Sequence, residues 1–182
     1  NLKQFVDIMK TTPESSIYHH THLFLQQHQY LSPEPPNDFA YWVTSVLGEE
    51  DLGERLASID TVQFTTIQEL QNKIISTIEA YLKSNASAAT RYVHENGEFY
   101  FIKSVSFILP TQYIAANLAE FVCILKKIDI DSIYFHIFEA RLRLGKKTND
   151  FSNWIETSLG NKELANKILK LDPYTYTLEN LR

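Results

Sequence analysis

Two short sequence motifs, each present twice, carry the side chains with which this chain could do chemistry. The first, Ser-Ile-Tyr-x-His, ends at His20 and again at His136, and the second, Asn-Asp-Phe-x-x-Trp, begins at Asn37 and again at Asn149. Imidazole, carboxylate and phenol groups can bind polar ligands or metals and can transfer protons. The candidate ligand-binding residues are the side chains that the motifs repeat: Tyr18, Tyr134, His20, His136, Asp38, Asp150, Trp42 and Trp154.

The motif histidines have a structural and a functional interpretation. In a helix, His20 lies in line with Ile17 and Phe24, which places its ring on or beside an apolar stripe. A buried imidazole needs hydrogen-bond partners, and the Asn-Asp turn of its own or the other copy could provide them. We favour this structural role. In the alternative, His20 and His136, or the two aspartates, meet at an interface between the copies and form a ligand, metal or hydrolytic site.

The aspartates of the second motif have a simpler explanation. Asp38 and Asp150 directly precede Phe39 and Phe151, where a helix is predicted to begin. An aspartate in this position caps the helix, and the helix dipole favours its carboxylate. We therefore predict that Asn-Asp is an N-cap, a role that requires no substrate.

His19 and His22 give weaker evidence for a metal site. They are three residues apart on one predicted helix, with His20 on a different face, so both rings could bind one transition metal. The second copy has Phe135 and Phe138 at these positions, so such a site would exist in one half only. The chain lacks the usual nucleophile, phosphate-loop, dinucleotide and zinc-protease motifs. We therefore assign no catalytic residue and expect no cofactor.

The motifs belong to a longer internal similarity. Residues 1–20 align with residues 117–136 at a constant offset of 116, and ten of the twenty positions are identical. Residues 37–48 align with residues 149–160 at an offset of 112, so the copies differ by four residues between the two blocks. We therefore predict a tandem duplication whose two halves are related by a pseudo-twofold axis.

Each copy is predicted to contain four to five short helices. Apolar residues at helical spacing mark the first helix at residues 2–9 and again at 118–125. Further helices are predicted near residues 16–30, 38–47, 49–59 and from 67 onward in the first copy, and near 132–144, 150–159 and 161–171 in the second. The expected N-caps of the second helix are Ser15 or Ser16 and Asp131 or Ser132, and the expected ends of the third are Gly48 and Gly160.

The chain between the copies has a different composition. Residues 85–89 are small and polar and predict a linker, and Asn96-Gly97 predicts a two-residue hairpin turn. We divide the chain into a first helical unit at 1–84, a linker with an aromatic extended or hairpin segment at 85–116, and a second, incomplete helical unit at 117–182. We expect residues 98–116 to be a preface to the second unit, with a counterpart upstream of Asn1.

Composition excludes several classes of protein. The chain of 182 residues is 44% hydrophobic and 21% charged, which is typical of a globular protein with a substantial core. Its net charge is -5 and its basic residues are scattered, which argues against nucleic acid as a partner. No apolar run is long enough to span a bilayer, and the single cysteine fits a reducing interior. We therefore expect a cytoplasmic protein that does not bind membranes.

The paired motifs resemble those of a protein family. The pattern SIYHH…NDFAYWV…LGEEDLGERLASID is similar to an uncharacterised bacterial and archaeal family, a domain of unknown function with similar Ser-Ile-Tyr-His and Asn-Asp-Phe-x-x-Trp signatures. The resemblance covers most of both copies and implies a mainly helical prokaryotic domain, without an activity or a cofactor.

These observations predict an all-α protein built from two tandem helical units. The function we favour is a non-enzymatic module that binds a small ligand or a protein partner at the groove between the repeats. The alternative is a metal-binding or hydrolytic protein that uses a His/Asp site at the interface between the repeats. Homodimerisation through the aromatic segment is a further alternative, because aromatic side chains that a small unit cannot bury often form interfaces.

Overall fold

Helices supply all the regular secondary structure in the part of the chain that the structure describes. The computed structural model describes residues 1–23, 36–145, 147–171 and 178–181, and no strand occurs in these ranges, which confirms the predicted all-α class. The described residues group into two units, one ending at Val105 and the other beginning at Ser106. None of the described helices is long and apolar enough to cross a membrane.

The first unit is built around one long helix. Its described α-helices are α1 (Leu2–Met9), α2 (Glu14–Tyr18), α3 (Asp38–Ser45), α4 (Glu50–Ala57) and α5 (Ile67–Ser84). A π-helical turn, His19–Leu23, continues α2, and 3₁₀ turns lie at Thr61–Gln63 and Ala86–Ala89. Helix α5 packs against α1, α2 and α4, so the core of the unit forms along its apolar face.

Polar side chains fix the ends of the core helices. Asn1 and Gln4 form a capping box at the start of α1, which satisfies main-chain N–H groups that have no partner within the helix. Gln71 interrupts the apolar stripe of α5, and its Nε2 donates to the main-chain oxygens of Met9 at 2.6 Å and Thr12 at 3.1 Å. The end of α1 is therefore tied directly to α5.

Helix α2 begins earlier than the sequence predicts. Its N-cap is Pro13, with extended backbone at ψ 149, so the expected caps Ser15 and Ser16 lie inside the helix. Proline is compatible with this position because the first N–H groups of a helix have no intrahelical acceptor. The same difference occurs in the second unit, where Asp129 replaces the expected Asp131 or Ser132 as the N-cap. In the first unit, the predicted continuation of this second helix to residue 30 falls partly on residues 24–35, outside the described ranges.

The second unit has helices in the same order. They are α6 (Leu118–Leu125), α7 (Ile130–Tyr134), α8 (Ala140–Leu144), α9 (Asp150–Leu159), α10 (Lys162–Leu169) and α11 (Leu178–Leu181), with a π-helical turn at Phe135–Glu139 between α7 and α8. Helices α1 and α6 start 116 residues apart, and α3 and α9 start 112 residues apart, which are the offsets of the sequence alignment. That the two stretches arose by duplication stays a prediction.

The segment between the repeats belongs in part to the first unit. Asn96 has a φ of 65, and the Gly97 N–H donates to the His94 oxygen at 2.9 Å, so a turn forms with Glu95 and Asn96 at its centre, one residue earlier than the predicted Asn96-Gly97 turn. The flanking residues are extended but form no hairpin strands in the described structure. Residues 97–104, which we call the aromatic segment, pack within the first unit rather than forming part of a preface to the second. Their apolar side chains find aromatic partners there, a long-range contact that the local sequence pattern does not specify.

Candidate functional site

His20 connects helix α3 to the aromatic segment. Its ring is buried, its Nδ1 lies 2.7 Å from Asp38 Oδ2, and its Nε2 accepts a hydrogen bond from the Ile102 main-chain N–H at 3.0 Å. An N–H group can only donate, so Nε2 carries no proton and the neutral ring holds its proton on Nδ1, facing the carboxylate. Both ring nitrogens of His20 are therefore used in contacts within the first unit.

Asn37 and Asp38 divide two roles between them. The Asn37 side chain caps α3 by accepting a hydrogen bond from the Ala40 N–H at 2.8 Å, and its Nδ2 donates to the Leu56 oxygen at 3.2 Å. Asp38 is the first residue of α3, and its carboxylate bonds to His20. The asparagine of the predicted Asn-Asp cap therefore forms the cap, and the aspartate, the first residue of the helix, contacts His20 in addition.

Aromatic rings surround His20 and form what we call the aromatic cleft of the first unit. Its walls are Phe5 from α1 and Phe39 and Trp42 from α3. Phe99 and Phe101 of the aromatic segment fill it, each with its ring centroid 5.2 Å from that of Phe5, and Phe99 lies 4.8 Å from the His20 ring. Aromatic pairs at these separations contribute beyond simple area burial.

Polar contacts hold the aromatic segment at both ends. The Trp42 indole Nε1 donates to the Gly97 oxygen at 2.8 Å, and His20 accepts from the Ile102 N–H. Beyond this, the Ser104 N–H donates to the Ser15 oxygen at 3.3 Å, and the Ser104 hydroxyl lies 2.6 Å from His19 Nδ1. The two motifs therefore supply an indole donor and an imidazole acceptor that bracket a pair of phenylalanines.

The second unit contains the same cleft residues in a more exposed form. His136 Nδ1 lies 2.8 Å from Asp150 Oδ2, and the Phe121 ring lies 5.0 Å from Phe151 and 5.3 Å from Trp154. The His136 side chain is 39% exposed, whereas that of His20 is 4% exposed. Among the described residues, none makes a hydrogen bond to the His136 Nε2 or to the Trp154 indole nitrogen. Each His–Asp pair forms within its own unit.

The motif tyrosines do not lie in the clefts with the histidines. Tyr18 stacks on His22 at 5.4 Å, and Tyr134 packs against Phe138 at 5.8 Å. His22 is buried, its Nδ1 is 2.9 Å from the Thr21 hydroxyl, and burial lowers its pKa to about 4. The Tyr18–His22 contact of the first unit is therefore equivalent to the Tyr134–Phe138 contact of the second, with His22 in the position of Phe138.

Metal-ligand side chains do approach one another in the first unit, although not as the sequence predicts. Ligand atoms of His19, His20 and Asp38 all lie within 4.8 Å of one another, and His22 is not part of this group. A metal on His20 Nδ1 would move the ring proton to Nε2, where the Ile102 N–H already points. Burial, and then the neighbouring His20, lower the pKa of His19, which keeps that ring neutral. The group therefore fits a metal only if the aromatic segment moves. The expected metal pair His19 and His22 stays a prediction.

The cleft contains residues that the sequence did not identify as functional. The same residue type occurs at Phe5 and Phe121, and this identity could have marked them as cleft residues. Their helical spacing, however, indicated only positions in the core. The Gly97 carbonyl and the Ile102 N–H are main-chain groups, which no side-chain motif reveals. A cavity of about 440 Å³ opens elsewhere in the first unit and none of the motif residues lines it; its lining includes Arg55, Asp60 and Lys73.

Similar proteins agree with this architecture but do not supply an activity. The structure of OrfY from Thermoproteus tenax is similar to this chain over 100% of its length and over 81% of the OrfY chain, with 26% sequence identity and a TM-score of 0.79. No curated protein matches the chain. The model of one protein family matches all of residues 1–182, in agreement with the helical fold. The chain belongs to the Family of unknown function (DUF5752).

Proposed function

We propose that this protein is a non-enzymatic interaction module whose second unit is the docking surface for a protein partner. The observation that carries the proposal is a difference between equivalent helices. Helix α1 buries its apolar stripe, whereas no residue of α6 is buried, and Val122 is 49% exposed where its counterpart Val6 is 4% exposed. Exposed apolar surface of this kind is typical of protein interfaces.

The chain that leads into α6 supports the same proposal. Between residues 105 and 114, several large apolar side chains have most of their surface exposed: Val105, Phe107, Ile108, Leu109 and Ile114. Clustering in sequence makes this stretch different from single exposed apolar residues, which are common on any protein surface. A small-ligand site is less well supported, because the aromatic cleft of the first unit is filled by its own chain.

The single cysteine provides a direct test. Cys123 is exposed and lies on α6, so a photoactivatable benzophenone can be attached to it without other changes. In cells of the source organism, we expect irradiation to yield adducts of defined mass. The matched control carries Cys123→Ser and Ser76→Cys, which moves the probe to an exposed position on α5. Equal adducts from both positions, or none from Cys123, would contradict the proposal. An adduct of twice the chain mass would identify a homodimer.

One observation favours metal binding as a second function, namely the approach of His19, His20 and Asp38. Added zinc or nickel would then raise the melting temperature of the wild-type protein but not that of His19→Phe, which copies Phe135 of the second unit. Because binding requires the aromatic segment to leave His20, it would also expose Phe99 and Phe101. An unchanged melting temperature at millimolar metal would remove this function. No further residue in the described part of the chain lies at the site in a way that would favour hydrolysis.

A further inference from the structure

We infer that the aromatic cleft of the second unit binds an extended Phe-x-Phe segment of another polypeptide, in the way that the first unit holds its own aromatic segment. This inference rests on the proposed function and names the partner chemistry for the same unit. The first cleft serves as a template, since the structure shows its occupant and the contacts that hold it.

The walls of the two clefts have the same residue types. Phe121, Phe151 and Trp154 stand where the first unit has Phe5, Phe39 and Trp42, and the Phe–Phe ring separation is 5.0 Å in one cleft and 5.8 Å in the other. The second cleft therefore provides the aromatic surfaces against which Phe99 and Phe101 pack in the first. Two phenylalanines on an extended chain, separated by one residue, fit these surfaces.

The polar groups at the ends of the cleft specify where the main chain of the partner runs. In the first unit, the Trp42 indole takes the carbonyl two residues before the first phenylalanine, and His20 takes the N–H one residue after the second. Trp154 and His136 offer the same donor and acceptor, and no described residue bonds to either group. Asp150 is 2.8 Å from His136 Nδ1, which favours a proton there and leaves Nε2 as an acceptor.

A difference between the clefts predicts a preference in the partner sequence. His19 contacts the Ser104 hydroxyl, three residues after the second phenylalanine, but the second unit has Phe135 in place of His19. An aromatic ring offers no hydrogen bond equivalent to that of an imidazole nitrogen, whereas it packs well against an aliphatic side chain. The second cleft should therefore favour an apolar residue where the first takes a serine.

The occupant must come from another polypeptide that is not simply a second copy. Phe-x-Phe occurs once in this sequence, at residues 99–101, and that segment already fills the first cleft. To reach the second unit of another copy, it would have to leave contacts equivalent to those that it would gain. Such an exchange gives little net free energy, whereas a separate Phe-x-Phe segment adds contacts to the second cleft without breaking any contact of the described residues.

The test measures binding of a fluorescein-labelled peptide with the sequence of residues 97–104, GEFYFIKS, to the full natural protein. We expect saturable binding that is lost when both phenylalanines of the peptide are changed to serine. Trp154→Phe removes the indole donor and part of the aromatic surface, and His136→Phe replaces the imidazole nitrogens by an apolar ring, so each should weaken binding about three- to tenfold. Changing the final serine of the peptide to leucine should strengthen binding about threefold.

Trp42→Phe is the matched control, because it removes the same donor from the cleft that is already filled. It should leave peptide affinity unchanged, and circular dichroism melts should show that all variants fold. Absence of saturable binding, or equal loss in Trp42→Phe and Trp154→Phe, would overturn the inference. Adducts from the Cys123 probe do not depend on the peptide. Their persistence without peptide binding would leave the proposed function intact while this inference fails.

Discussion

The two aromatic clefts differ in closure although their residues are nearly the same. In the first, a buried His20 contacts Asp38 through one nitrogen and the Ile102 main chain through the other. In the second, His136 keeps the contact to Asp150, but its side chain is 39% exposed. The comparison teaches that the motifs of the first unit hold an extended stretch of its own main chain, a role of the histidine that requires no catalysis.

In the first unit, the His–Asp pair links the start of α3 to the aromatic segment, and the aspartate determines which ring nitrogen carries the proton. A carboxylate next to Nδ1 favours the tautomer with the proton on that nitrogen, which makes Nε2 an acceptor that suits a main-chain N–H. Asp38 is itself fixed because it begins α3, whose cap is Asn37. The order of the motif, Asn-Asp-Phe-x-x-Trp, therefore places the cap, the orienting carboxylate, an aromatic wall and the indole donor on one helix end.

The largest predicted difference between the units concerns His22, whose counterpart is Phe138. Burial lowers the His22 pKa to about 4, below the value of about 6.5 in an unfolded chain. The unfolded state therefore binds a proton first, and the stability from this residue, complete above pH 6.5, is lost as the pH falls towards 4. His22→Phe should reduce the loss of unfolding free energy between pH 7 and 4.5 by about 2–3 kcal/mol.

Urea denaturation at several pH values measures this effect. His94→Phe is the control because His94 is exposed, and its pH dependence should match that of the wild type. Carboxylates also titrate in this range, but they do so in both variants and cancel in the comparison. If His22→Phe shows the same pH dependence as the wild type, His22 is not buried in the neutral form.

His20 and His136 should differ in their contribution to the free energy of unfolding. His20→Phe removes two hydrogen bonds from a buried position and leaves a carboxylate and an N–H unpaired, so it should cost about 2–3 kcal/mol of unfolding free energy. His136→Phe removes one contact at a half-exposed position and should cost less than about 1 kcal/mol. Chemical denaturation of both variants tests the difference, and equal costs would mean that the second cleft is as closed as the first.

Much of this architecture could be predicted from the sequence, because helices leave local signals. Apolar spacing predicted α1 and α6, and the Asn-Asp pairs at residues 37 and 149 were recognised at the starts of α3 and α9. Three features could not be predicted. The aromatic segment has no periodicity that would indicate which unit it packs in. The Gly97 carbonyl and the Ile102 N–H are main-chain groups, which no side-chain motif reveals. Finally, because the two motifs are nearly the same, they cannot show that His20 is buried and His136 half-exposed.

A close helix contact distinguishes the units at Gly53, where the second unit has Ala165. A Cβ at Gly53 of α4 would collide with the Thr44 side chain of α3. Alanine is the better helix former, so Gly53→Ala would stabilise an open site by about 1 kcal/mol. We expect a net loss of about 1–2 kcal/mol instead, since relieving the collision requires the Thr44 side chain to rotate or the packed helices to shift. Thr44→Ala should recover most of this loss in the double variant, and a stabilised single variant would contradict the predicted contact.

The smallest expected effect separates the two tryptophans. Trp42→Phe removes the indole donor to the Gly97 oxygen and leaves a half-buried carbonyl without this partner, so it should cost about 1 kcal/mol of unfolding free energy. Trp154→Phe removes a donor that bonds to no described residue, so its cost should be close to zero. Guanidinium denaturation of the two variants, followed by circular dichroism, compares them without relying on tryptophan fluorescence. A measurable cost for Trp154→Phe in the isolated protein would mean that its indole already has an acceptor, and the second cleft would then be unavailable to a partner.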